Sequence, residues 1–109
     1  MSRAAEDVVY HAIAAHTRRA ILDLLAVSER SVKELTVEFS ISQPAISQHL
    51  RELKSADLVT ARRVRREQRY RLTARPLSPV LRWLEGYRHL VDPAGHHWAI
   101  GSVKGKARK

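Results

Sequence analysis

The side chains with the most chemistry in this 109-residue chain are arginines. Arg62, Arg63, Arg65, Arg66, Arg69 and Arg71 put six guanidinium groups into ten residues, with Glu67 the only acid among them. A guanidinium is always charged and presents a planar fork of donors that suits phosphate oxygens and guanine edges. Like charges crowded onto one short element repel, so the run fits a site where a polyanion neutralises them. A second polar set lies just upstream: Ser42, Gln43, Pro44, Ser47, Gln48, His49 and Arg51. Glutamine can pair bidentately with adenine, arginine with guanine, and serine with a base or a phosphate. Singly, each residue also fits an ordinary solvated helix surface. As a set beside the arginines, they read as nucleic-acid contacts.

Other chemistries lack their residues. There is no cysteine, which removes disulfides, thiolate metal sites and cysteine nucleophiles. Four glycines form no phosphate-cradling loop, and the acids stand at spacings suited to helix caps and salt pairs rather than to a nucleophile and its base. No enzymatic activity and no cofactor are expected. His49 has three open readings: a phosphate or DNA contact, half-buried packing, or a metal ligand. The metal reading lacks a partner histidine one turn away.

The polar set needs a helix to present it. Ser42 is placed to cap such a helix, and Pro44 sits in its first turn, where a missing amide hydrogen costs nothing. Ile46, Leu50 and Leu53 recur at helical spacing and point to a core, leaving Gln43, Ser47 and Arg51 on another face. A shorter helix over 32–39 precedes it across a turn at Ser40 and Ile41. It opens on Ser31-Val32-Lys33-Glu34, a capping-box pattern, and turns Val32, Leu35 and Phe39 inward. Two further helices are expected upstream. One runs over about 4–15, with Val8, Val9, Ala12 and Ile13 as its stripe; the other runs over about 17–27, capped by Thr17, with Ile21, Leu24 and Leu25 inward. From Leu58 to Thr73 the period switches: Val59 and Ala61, then Tyr70 and Leu72, alternate with polar residues as in an antiparallel hairpin. The six arginines decorate that hairpin.

Composition agrees. Twenty Lys+Arg against eleven Asp+Glu give a formal net charge of +9, an excess that draws a polyanion and speeds encounter with it. A generally basic soluble surface would show the same total; the clustering carries the reading. The length allows one domain, placed at 1–95, with a flexible basic tail over 96–109. No apolar run approaches the roughly 20 residues that span a bilayer. The N-terminal apolar patch is broken by Glu6, Asp7 and His11, unlike a signal peptide, so the expected location is cytoplasmic and no membrane partner is expected.

The order helix, helix, helix-turn-helix, basic hairpin, helix resembles the winged-helix ArsR/SmtB family of bacterial transcriptional regulators. The phrases that carry the likeness are TRRAILDLLA (17–26), SVKEL (31–35), ISQPAISQHLREL (41–53), ADLVTARR (56–63) and YRL (70–72), within a match over roughly 8–91. The resemblance implies a mainly α fold with a small β-hairpin, a winged helix-turn-helix. It also implies a homodimer that binds a near-palindromic double-stranded operator and usually represses transcription. On that footing the DNA-binding residues are Ser42, Gln43, Pro44, Ser47, Gln48, His49 and Arg51 on the recognition helix, with Arg62, Arg63, Arg65, Arg66 and Arg69 on the wing. Three departures stand out. Ala15-His16 replaces the family's usual Asp-Pro, Asp57 stands where glycine usually follows the recognition helix, and Arg65 occupies the wing-tip glycine position.

The last helix, over about 76–91, carries Leu77, Val80, Leu81, Leu84, Tyr87 and Val91 as a stripe too wide for a lone surface helix. Together with Val8, Val9 and Ala12 it is the expected dimer interface. The resemblance also bears on the effector. Members sensing soft metals have a Cys-x-Cys phrase where this chain reads Val32-Lys33-Glu34-Leu35, so no such site is expected. Members sensing Zn, Ni or Co have a last-helix pattern to which this chain offers only Ser78, Val80, His89 and Asp92. His89, His96 and His97 are the residues an alternative Ni- or Zn-responsive regulator would use; exposed histidines of a polar segment are the simpler reading. A general nucleic-acid-binding basic protein is a third possibility. The sequence names no effector.

Overall fold

The structure, a computed structural model, describes residues 3–94. Six helices and three strands follow in the order α1 (Arg3–Ile13), α2 (His16–Val27), β1 (Arg30–Ser31), α3 (Val32–Phe39), α4 (Gln43–Ser55), β2 (Val59–Val64), β3 (Glu67–Leu72), α5 (Ser78–Glu85) and α6 (Arg88–Val91). A single 3-10 turn, Arg75–Leu77, leads into α5. Packing divides the chain after Ser78 into two compact units.

The first unit is built around side chains that the helical spacing marks as apolar. Ile21, Leu35, Ile46, Leu50, Leu53, Leu58 and Val59 are fully buried, joined by Val9, Ala12, Leu22, Leu25 and Ala56. From α2, it is Leu22 rather than Leu24 that joins Ile21 and Leu25 in the core. Leu35 is the inward residue of α3; Ile46, Leu50 and Leu53 are those of α4. Burying one aliphatic side chain contributes about 1.5–3 kcal/mol. Three on one face therefore fix the rotation of α4 and decide which residues its other face shows to solvent.

Helix ends are closed in three different ways. Ser31 and Glu34 form the expected capping box: Ser31 Oγ accepts from the Glu34 amide at 3.1 Å, and Glu34 Oε1 accepts from the Ser31 amide at 2.9 Å. Ser42 caps α4 by accepting from the Ala45 amide at 3.2 Å. Thr17 does not cap α2, which begins one residue earlier after Ala15 with no side-chain cap. The first turn of α2 instead serves α1. Arg18 Nε donates to the Ala12 carbonyl at 2.7 Å and Arg19 Nη1 to that of Ile13 at 2.7 Å, satisfying carbonyls that the end of α1 leaves open.

The chain leaves α4 through a Schellman turn. Asp57 has φ 59°, its amide donates to Lys54 O at 2.9 Å, and the Leu58 amide donates to Leu53 O at 3.0 Å. Leu53 and Leu58, the apolar pair that accompanies this motif, are both fully buried. Asp57 thus adopts the left-handed conformation for which glycine is the usual residue, and the chain is aimed from the helix straight into β2.

β2 and β3 form the expected hairpin, with Val59 opposite Leu72, Ala61 opposite Tyr70 and Arg62 opposite Arg69. The two-residue β1, which has no sequence signal of its own, adds to the free edge of β3, pairing Arg30 with Tyr70 and Ser31 with Arg69. The sheet order is therefore β1-β3-β2, all antiparallel. Arg65 and Arg66 connect the hairpin strands, and Arg65 takes φ 60°.

In the second unit, the single helix expected over 76–91 is divided. Gly86 and Tyr87 donate to Trp83 O and Leu84 O, bonds that span three residues instead of four and tighten α5 to a close. Glycine is the weakest helix former after proline, which accounts for the break between α5 and α6 at this position.

Candidate nucleic-acid interface

With its core face buried, α4 shows solvent a polar face. Gln43, Pro44, Gln48 and Arg51 are exposed and Ser47 is half-buried at its edge. Ser42 is exposed too; its oxygen is taken by the Ala45 amide, while its proton stays available to a phosphate. Gln48 and Arg51 are not independent. Arg51 Nη2 donates to Gln48 Oε1 at 2.6 Å, and Gln48 Nε2 donates to Glu52 Oε2 at 3.3 Å. His49 stands at the border of the core face. It is half-buried, with Nδ1 enclosed and without a hydrogen-bond partner among the described residues.

The hairpin sorts the arginines by face. Alternation along the paired strands puts Arg62, Arg69 and Arg71 on one face, and Arg63 on the other with Ala61 and Tyr70. Arg62 and Arg69 lie directly opposite each other, an arrangement that like charges disfavour. Glu29, just before β1, relieves it. Arg62 donates to Glu29 through Nε at 2.9 Å and Nη2 at 3.2 Å, a two-pronged pairing, and Arg69 Nε lies 3.6 Å from the same carboxylate. Arg69 also donates to Glu67 Oε1 at 2.9 Å, to Glu34 Oε1 at 3.2 Å and to the Glu29 carbonyl at 3.1 Å. Since Glu34 caps α3 as well, Arg69 fastens the hairpin to the start of the helix-turn-helix.

These contacts shift the acids in a consistent direction. The Arg62 hydrogen bond holds the Glu29 carboxyl below the usual glutamate range, aided by the charges of Arg69 and Arg71. The Ser31 amide does the same for Glu34, with Arg69 contributing. Glu29 and Glu34 are structural partners that composition does not disclose, because their importance arises from β1 pairing. Arg63, Arg65 and Arg66, in contrast, have no hydrogen-bond or acidic partner among the described residues. The hairpin therefore has an acid-paired Arg62–Arg69 couple and a bare cationic tip.

Residues 16–61 fit the bacterial regulatory proteins of the arsR family. The chain is 37% identical to the HTH-type transcriptional regulator Rv2034 of Mycobacterium tuberculosis, over 82% of this chain and 91% of that protein. It is 43% identical to the HTH-type transcriptional repressor SmtB of the same organism, over 76% of this chain and 60% of that protein's length. Among solved structures, the ArsR-like transcriptional regulator from Rhodococcus sp. RHA1 superposes with a TM-score of 0.68 at 30% identity, covering 95% of this chain and 93% of that one. The chain belongs to the ArsR family. It is a winged-helix transcriptional regulator of the DNA-binding helix-turn-helix type and not an enzyme.

Among the described residues of this ArsR-family chain, no three metal-ligating side chains come together. His89 lies on α6, while His96 and His97, like the whole 96–109 tail, fall outside the described residues. No described helix is long and apolar enough to cross a membrane. The residues expected at a dimer interface separate into three groups. Val9 and Ala12 are 2% and 0% exposed, already buried inside the chain, which leaves Val8 as the exposed one of the three expected on α1. Leu77 and Val80 are half-buried. Leu81, Leu84, Tyr87 and Val91 are exposed, and so are Trp83 and Leu90, which widen the same surface. Trp83 and Tyr87 pack edge to face, ring centroids 5.3 Å apart.

Proposed function

We propose that this ArsR-family regulator binds a near-palindromic operator as a homodimer and represses the genes behind it. The observation that carries the reading is the pairing of an outward polar face on α4 with three unpartnered arginines, Arg63, Arg65 and Arg66, on the hairpin. In this reading α4 enters the major groove, where Gln43, Ser47 and Arg51 meet base edges, and Ser42 reaches a phosphate. The hairpin tip follows the backbone, where its charges add affinity without reading sequence.

Homodimerisation rests on α5 and α6. Leu81, Trp83, Leu84, Tyr87, Leu90 and Val91 are more apolar surface than so short a segment ordinarily leaves in water. A second copy of the chain would cover it, and two-fold symmetry would then place two α4 helices on successive major grooves about 34 Å apart. Binding at fixed salt to the chain's own promoter fragment against random duplex is the test. A preference of about 10³-fold or more, with one dimer per site by sedimentation, is the expected result. Equal affinity for random DNA or RNA would leave only a general basic binder.

A further inference from the structure

Gln48 precedes Arg51 by three residues and Glu52 by four, so it neighbours both along the surface of α4. Its two hydrogen bonds settle its amide orientation. A carboxylate can only accept and a guanidinium can only donate, so Nε2 must face Glu52 and Oε1 must face Arg51. Glu52 is held in turn: its Oε1 lies 3.5 Å from Nε2 of His11 on α1. The chain of contacts runs from α1 through an acid and an amide to one guanidinium.

From this geometry we propose that Gln48 and Glu52 are positioning residues that hold Arg51 as the base-reading group, and that Arg51 selects a G·C pair. The proposal rests on the reading that this face of α4 enters the groove. A glutamine reading adenine uses both amide atoms at once. In this helix each atom already serves a neighbour, so an adenine would have to share or displace the hydrogen bonds to Arg51 and Glu52. Arg51 gives up only one of its five donors to Gln48 and keeps enough for a bidentate contact with guanine. A guanidinium already steadied by a neighbour also surrenders fewer rotamers on binding. Glu52 has two opposed effects. Its charge repels a nearby polyanion, while its hydrogen bond sharpens the aim of Arg51. The residue therefore lowers general affinity and raises selectivity.

The experiment selects the preferred duplex from a random pool with the full chain, then measures at fixed salt the cost of changing each base pair. Arg51→Ala should relax one G·C pair per half-site by roughly 5- to 150-fold. Gln48→Ala and Glu52→Ala should relax the same pair by about 2- to 10-fold, the worth of one hydrogen bond, and add nothing in an Arg51→Ala background. Glu52→Ala should at the same time bind random DNA more tightly, which a merely structural role would not produce. The exchange Gln48→Glu with Glu52→Gln keeps an acceptor for Arg51 and a donor between the two, and should restore selectivity. Gln48 is exposed, so Gln48→Ala carries the test even where Glu52→Ala loosens the contact with His11. If Arg51→Ala relaxes one pair and Gln48→Ala leaves that pair alone or alters another, the proposal falls and groove reading stands. If Arg51→Ala leaves every pair unchanged, the groove reading of this face fails and takes the proposal with it.

Discussion

Replacing Arg66 by alanine separates the bare tip of the wing from its acid-paired Arg62–Arg69 couple. Arg66 has no partner among the described residues, so the change removes one free cation and disturbs no internal contact. Each phosphate that goes unneutralised flattens the slope of log K against log salt by about 0.9, and a two-fold complex has two such phosphates, so the slope should fall by about 1.8. Over a fourfold rise in salt, the drop in affinity of the variant should then be about 12-fold smaller than that of the parent. Arg62→Ala is the comparison. Its guanidinium is already held by Glu29 through two hydrogen bonds, so a phosphate would first have to displace a carboxylate. Arg62→Ala should change the slope less than Arg66→Ala does. Fluorescence anisotropy with a labelled duplex over a salt series measures both, on specific and on random DNA. Arg66→Ala should weaken the two in parallel. The division of the wing is refuted if Arg62→Ala flattens the slope as much as Arg66→Ala, or if Arg66→Ala leaves it unchanged.

Leu50→Ala, at a fully buried position of α4, should cost about 2–5 kcal/mol in urea unfolding and lower DNA binding through stability alone. At the Schellman turn, Asp57→Gly should stay within about 1 kcal/mol of the parent, because relief at φ 59° is offset by unfolded-chain entropy. Asp57→Val should cost about 1–2 kcal/mol or more, and an equal effect of the two would show that the left-handed backbone is not what the position demands. Glu29 and Glu34 titrate below the usual glutamate range in the folded chain, so their contribution is full at neutral pH and is lost as pH falls through those lowered values. Glu29→Gln should therefore be less stable than the parent at neutral pH and draw level with it in acid, with the gap read from urea midpoints across the pH range.

Local rules made much of the fold legible. Ser31-x-x-Glu34 fixes the start of α3, and Ser42 with Pro44 fixes the start of α4 to the residue, because a cap satisfies amides only a few bonds away. The apolar spacing of Ile46, Leu50 and Leu53 disclosed which face of α4 is free. Failures came where the deciding partner is distant in sequence or the local choice is shared. Thr17 has the right chemistry for a cap, yet α2 starts before it, and Arg18 and Arg19 are drawn instead to the end of α1. Gly86 carries a helix-breaking tendency that the wide apolar stripe around it outweighed on paper. β1 is two residues long and exists only because β3 has a free edge, so Glu29 could not be recognised from its neighbours as the acid that separates Arg62 from Arg69.

That acid also explains how an arginine-dense hairpin folds without DNA. Opposed guanidiniums at Arg62 and Arg69 would destabilise the ladder, and a hairpin this small has little burial with which to resist. Glu29 and Glu34 relieve the conflict from the body side and anchor the hairpin beside α3, while Glu67 reaches Arg69 from the tip side. Acids placed at the tip would cancel the charge available to phosphate. Around Arg65 and Arg66 the described residues supply none but Glu67, whose Oε1 is taken by Arg69. Repulsion is thus relieved where the hairpin must hold its shape and retained where a phosphate can replace the missing partner. Five of the six arginines in the run thus form two populations with different work, Arg62 and Arg69 held by acids and Arg63, Arg65 and Arg66 left bare, and net charge counts them as one.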